Sequence, residues 1–285
     1  MPYYVAAERG FFREAGIEPV AVPLQAAPLI VQAMVAGDVE AASTLVTLEG
    51  ANINARRANP ALYIALNGQN ARYRMEQFVV RAGHPAQSLR DLRGARILSA
   101  PGPANLNAAK AVLAAIGLQD GRDYTIQEQQ MGVHVGALQA GTFDAAYTLE
   151  PVATIAERAG AARRLEAGVI ATHLLGRTDA QAWAAGAALT GKFLGEKPQV
   201  AQRFADAWRR ACALIRAEPE SVRPLLVAHM QTSAELAPIV PLVNFTMVKD
   251  MSATDIADFQ TFVDIAVRQG VVRDPIQVGS FLRPL

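Results

Sequence analysis

Two short polar clusters, Ser43-Thr44 and Tyr147-Thr148, carry the side-chain types that hold a small polar molecule. Hydroxyls both donate and accept hydrogen bonds, so fixed ones can take the place of water around a solute. Glu150 follows the second cluster and precedes Pro151, whose ring favours an extended conformation before it. Directed inward, that carboxylate would pair with an amine or amidine; directed outward, it is a solvated acid. The segment Pro101-Gly102-Pro103-Ala104-Asn105 joins a strand to a helix, and unpaired N–H groups at such a start hold an anion or a carbonyl. Asn105 there either caps the helix or touches the ligand. His134, placed ahead of a helix, either donates to a ligand or is a satisfied surface histidine. Gln25 and Asn67, in neighbouring loops, complete the set of candidate ligand contacts. This is binding chemistry, and no catalytic residue is assigned.

Other chemistries lack their residues. No Ser, His and Asp order, spaced carboxylate pair or glycine-rich phosphate loop is present, and no cofactor is expected. Cys212 is the sole cysteine, which excludes an internal disulfide and any multi-cysteine metal site. It lies on the apolar face of a helical pattern, where a free cysteine behaves as a small buried hydrophobe. His84, His134, His173 and His229 match no ligand spacing, so no metal is assigned. The 27 basic and 26 acidic side chains nearly cancel and are scattered, which argues against nucleic acid or an anionic membrane as partner. No run reaches the roughly 18 to 20 apolar residues of a membrane span. A small-molecule ligand is the partner that remains.

The elements that must position these residues are those of an α/β protein. Pro2 to Ala15 reads as a helix stopped at Gly16, Ile17 to Leu24 as a strand, Pro28 to Ala36 as a helix ended by Gly37, and Val39 to Ala42 as a strand. The segment 33–44 then recurs at 137–148, with Ala, Ala, Gly, an acid, Ala-Ala and Thr in register. Two lobes of similar construction would produce such a repeat, as would the frequency of helix, glycine, strand junctions in α/β proteins. In open α/β sheets ligands sit beyond the carboxyl ends of strands, which places both polar clusters at a cleft. Further strands are expected at 77–82, 95–100, 124–129 and 182–189, and helices at 105–116, 151–159 and over most of 197–272. Lobe 1 comprises residues 1–75 and 184–285, the latter mostly helical, and lobe 2 comprises 76–183, with a hinge at the two crossings. Tyr73 and Trp183, beside the crossings, serve as cleft walls or as hinge props.

Several motifs resemble those of the nitrate/sulfonate/taurine-type substrate-binding proteins, which are similar to the thiamine-precursor-synthesis proteins. They are the opening Pro2-Tyr-Tyr-Val-Ala-Ala-Glu-Arg-Gly-Phe-Phe-Arg-Glu-Ala-Gly-Ile-Glu18, Ala36-Gly-Asp-Val-Glu-Ala41, Ser88-Leu-Arg-Asp-Leu-Arg-Gly94 and Asp144-Ala-Ala-Tyr-Thr-Leu-Glu-Pro151. The resemblance implies a two-lobed periplasmic-binding-protein fold of the second type. It implies a periplasmic location and work with an ABC permease and its ATPase, touching the membrane only through that permease or a lipid anchor. Relatives carry a leader and one strand ahead of the Pro-Tyr-Tyr-Val-Ala helix, so a longer natural polypeptide is expected. The fold also serves pyrimidine synthases with a cysteine-rich motif, desulfinases with a catalytic cysteine, and the effector domains of LysR-type regulators. These are the alternatives to a transport role.

Overall fold

The structure, a computed structural model, describes residues 1–24, 27–230 and 232–285. Gln25, a candidate contact, lies outside the described residues. The chain divides into two compact units: Met1–Gly68 with Trp183–Pro238 and Asn244–Leu285, and Gln69–Ala182 with Ile239–Val243. The first crossing therefore falls at Gly68 rather than Met75, and the second unit also takes in a short return at 239–243 that the sequence pattern does not announce.

The first unit holds a four-stranded sheet in the order β1 (Ala41–Val46), β8 (Ala182–Leu189), β2 (Leu62–Gln69), β9 (Asn244–Met247). β8 runs antiparallel to β1, and β9 antiparallel to β2. The largest helix, Pro198–Ala217, buries Ala201, Phe204, Ala205, Trp208, Ala211, Cys212 and Ile215. That three- and four-residue spacing is one helical face, and each large side chain so buried contributes about 1.5 to 3 kcal/mol. Phe12 stacks on Phe204 at 5.2 Å, and Phe204 on Trp208 at 5.7 Å. The opening helix is two short ones, Pro2–Glu8 and Phe11–Glu14, because Gly10 between them takes φ 74°. Ile17 to Leu24 forms no strand; the described residues give it no ladder partner, and Val20 and Val22 stay exposed. Its β-favouring residues cannot hold a strand without a neighbour to pair with.

The second unit holds a five-stranded sheet in the order β5 (Thr125–Glu128), β4 (Arg96–Ser99), β6 (Ala145–Leu149), β3 (Glu76–Arg81), β7 (Ala162–Ala167). β4 is parallel to β5 and to β6, while β3 is antiparallel to β6 and to β7. Val79, Leu98, Leu138, Ala146, Ala153 and Ala156 form the core on one face. On the other, Phe78 meets Tyr147 at 5.2 Å. Asp144 ties the sheet's start together through Arg96 at 3.1 Å and Arg81 at 3.4 Å. Partial burial opposes its charge, but those two guanidinium groups and the Arg96 N–H hold its pKa down to about 2.

Among the described residues, no helix is long and apolar enough to cross a membrane, and no group of three or more His, Cys, Asp or Glu side chains is placed to hold a metal ion.

Candidate functional site

The two matching segments share a backbone geometry. Gly37 and Gly141 both take left-handed φ, 84° and 69°, after the helices Ala27–Ala36 and Met131–Gln139. In each copy the residue after the glycine donates its N–H to the carbonyl five residues back, Asp38 to Ala33 at 2.9 Å and Thr142 to Ala137 at 3.2 Å. That is the glycine-capped end of a helix, and β1 or β6 follows.

The strands then diverge. β1 is an edge strand, and its register to β8 slips by one residue between Ala42 and Leu45. Ser43 and Thr44 form that bulge and are exposed. They therefore sit within the strand, on a bulged edge, and not in a loop beyond it. β6 is the central strand of its sheet, flanked by β4 and β3 and covered on both faces. Tyr147 is 1% and Thr148 also 1% exposed, so neither is the loop residue that the pattern suggested. Burial raises the Tyr147 phenol well above its usual pKa, with the Glu76 carboxyl nearby adding to the effect.

Thr148 belongs to a buried polar cluster with His134. His134 lies inside the Met131–Gln139 helix, not ahead of it, and is fully buried. Its Nε2 is 3.2 Å from the Gln129 carbonyl, which can only accept, so that nitrogen carries the proton. Its Nδ1 is 3.1 Å from the Thr148 hydroxyl. Burial lowers the His134 pKa against the pull of the Gln129 and Ser99 backbone, so the ring is neutral at pH 7 and Nδ1 accepts from Thr148. On the same face, the Gln77 amide donates toward the carbonyls of Met75 at 3.4 Å and Thr148 at 3.5 Å. Its Oε1 is buried with no hydrogen-bond partner among the described residues.

Glu150 is neither ligand-facing nor solvated. Its Oε2 accepts from the Thr154 N–H at 3.1 Å and the Thr154 hydroxyl at 2.7 Å, and its Oε1 takes Arg164 at 2.8 Å. It thus closes the start of the helix Val152–Arg158 and neutralises a largely buried arginine. Glu150 to Pro151 is a cis peptide.

The start of the helix Pro103–Ala115 is also occupied. The Gly102 N–H donates to Glu128 Oε2 at 3.1 Å, so a carboxylate of the chain already sits where an anion was expected. Asn105 does not cap; its amide donates to the Pro101 carbonyl at 2.7 Å. Asn67 is a half-buried residue of β2 opposite Phe245, not a loop residue. Trp183 is buried with its Nε1 donating to the Asp255 carbonyl at 3.2 Å, which makes it core rather than wall.

Within the second unit, a solute can reach Gly102, Asn105, Gln129 and Gln130 at the carboxyl ends of the parallel strands. Sequence reasoning missed the last two and Glu128, although the end of β5 was the signal that could have found them. Within the first unit the reachable polar groups of the set are Ser43, Thr44 and the half-buried Asn67. In each unit these are hydroxyl, amide or carboxamide groups able to hydrogen-bond a small polar molecule, and neither set, among the described residues, contains an arranged nucleophile and base.

The structure is similar to that of the periplasmic aliphatic sulphonate binding protein SsuA from Escherichia coli, with a TM-score of 0.79 and 17% identity over 99% of this chain and 88% of that one. It is similar to the periplasmic nitrate-binding protein NrtA from Synechocystis PCC 6803, with a TM-score of 0.69 and 13% identity over 99% and 83%. The desulfurization enzyme DSZB is a further neighbour, with a TM-score of 0.68 and 17% identity over 99% and 93%. These likenesses establish the periplasmic-binding-protein fold. No curated protein matches the sequence. The model of the family described as NMT1/THI5 like matches residues 1–222, and this chain belongs to that family.

Proposed function

We propose that this chain is the solute-binding component of an ABC importer. It captures a small organic molecule or anion and delivers it, on the periplasmic side, to a permease driven by an ATPase. The observation that carries this reading is the family match over residues 1–222 together with a fold shared with sulfonate- and nitrate-binding proteins. The reachable groups, Ser43 and Thr44 on the β1 bulge and Gly102, Asn105, Gln129 and Gln130 after β4 and β5, are the proposed contacts. Native mass spectrometry of the freshly purified protein, followed by thermal shift against taurine, alkanesulfonates and nitrate, tests it. A retained or stabilising solute is expected, and indifference to every solute class overturns the reading.

An enzymatic role is the second reading, favoured by the likeness to a desulfurization enzyme. Against it stands Cys212, which is 2% exposed and whose thiol burial pushes up to about 12. At pH 7 such a sulfur holds almost no thiolate and is a packing group. Incubation with an aryl sulfinate should return the compound unchanged; turnover would favour the enzyme.

A further inference from the structure

The first unit carries a groove of about 480 Å³ that the proposed solute contacts do not use. It lies at the amino end of β1 and the carboxyl end of β8, where Ala41 pairs with Leu189. The carboxyl end of β1, where Val46 pairs with Ala185, is five residues, or roughly 17 Å, further along the strand. The proposed solute contacts of this unit, Ser43 and Thr44, follow Ala41 by two and three residues along β1, and neither lines the groove.

Its apolar side is made by Met34, 3% exposed, Phe193, 9% exposed, and Val39. Its rim carries Arg57, Lys192, Lys197, Glu40 and Glu196. Glu40 is 3.8 Å from Lys197, so those two charges offset each other. Among the described residues neither Arg57 nor Lys192 has an ion-pair partner, and a single acid, Glu196, stands against them. The rim backbone is pinned: the Thr190 N–H donates to the Glu40 carbonyl and the Gly191 N–H to the Asn59 carbonyl, both at 2.9 Å, while the Thr190 hydroxyl accepts from the Phe193 N–H at 3.2 Å.

A preformed cavity with an apolar wall, a few polar groups and a net positive rim suits a small amphiphilic molecule. We infer that this groove binds an organic anion, with a carboxylate or sulfonate held by Arg57 and Lys192 and an apolar body laid on Met34, Val39 and Phe193. An anionic headgroup on a short alkyl chain satisfies both surfaces; a bare inorganic anion leaves the apolar wall wet.

The probe is octanoate, titrated into the intact, isotope-labelled protein and followed by amide NMR. Shifts should concentrate at Asn59, Gly191 and Lys192, and the double variant Arg57→Gln, Lys192→Gln should bind at least about tenfold more weakly. Both substituted side chains are exposed, and an otherwise unchanged amide spectrum verifies the fold. Acetate, which keeps the charge and lacks the body, should bind more weakly than octanoate. Shifts confined to residues outside the groove, unchanged affinity in the double variant, or equal affinity for acetate each overturn the inference.

Discussion

Glu76 is the side chain whose state most depends on the fold around it. It is 1% exposed, its Oε1 accepts from the Ile170 N–H at 3.2 Å, and its Oε2 has no hydrogen-bond partner among the described residues. Burial raises its pKa to about 8 against the pull of the Ile170 and Val169 amides. Between about pH 4.5 and 8 the folded chain therefore keeps a proton that the unfolded chain has lost, so this group makes stability fall as pH rises, by at most about 1.4 kcal/mol per pH unit. Glu76→Gln keeps the acceptor for Ile170 and removes the titration. Its melting temperature relative to the parent should climb steadily from pH 5 to pH 8, and a flat difference would show that the carboxyl is not titrating there. His134, with its pKa lowered, acts in the other sense and only at lower pH, since the unfolded ring takes up a proton that the folded ring refuses. Thr148→Val leaves His134 Nδ1 without a donor in a dry site, so chemical denaturation should show a loss of about 1 to 3 kcal/mol.

Elements explain why some residues were legible and others were not. The glycine-capped junctions before β1 and β6 follow from sequence because they rest on local chemistry, an αL glycine behind a helical run. What a strand end meets is not local. Ser43-Thr44 and Tyr147-Thr148 occupy equivalent positions, yet one pair is on a bulged edge and the other is in the middle of a covered sheet, which depends on strands from 76–81, 96–99 and 182–189. Glu150 was ambiguous for the same reason: its partner Arg164 lies on β7, a strand of mixed charged and apolar residues that no alternation marks. β2 carries a continuous apolar run, Leu62-Tyr-Ile-Ala-Leu66, of the kind that buried strands show, and it is not among the strands expected from the sequence. Gly168 shows how tightly an element boundary can be fixed. It takes φ 67°, and a Cβ there would run into the backbone of Asn70 and Ala71. Gly168→Ala should lose about 2 kcal/mol or more by equilibrium unfolding. Gly132→Ala, in the Met131–Gln139 helix with open space around it, should gain up to about 1 kcal/mol.

For the whole chain, a formal net charge of +1 provides no long-range field to gather a solute, so affinity must come from groups at the contact itself. Binding then reads out as stabilisation of the folded chain, because a solute that binds only the folded form adds RT ln(1 + [L]/Kd), about 2.7 kcal/mol at a hundredfold excess over Kd. In a chain of this size that is a rise of several degrees in melting temperature, growing with the logarithm of solute concentration. The two threonines of the repeat separate within this framework. Thr44 is exposed on the bulge of β1, so Thr44→Val should leave the solute-free melting temperature unchanged and move the whole curve to about fivefold higher concentration. Thr148 is buried against His134, so Thr148→Val should lower the solute-free melting temperature and leave the solute-induced increment intact. A Thr44→Val curve that superimposes on the parent would remove the β1 bulge from the binding surface. A Thr148→Val protein that melts like the parent but no longer responds to solute would return Thr148 to that surface and the His134 cluster to a ligand-contacting role.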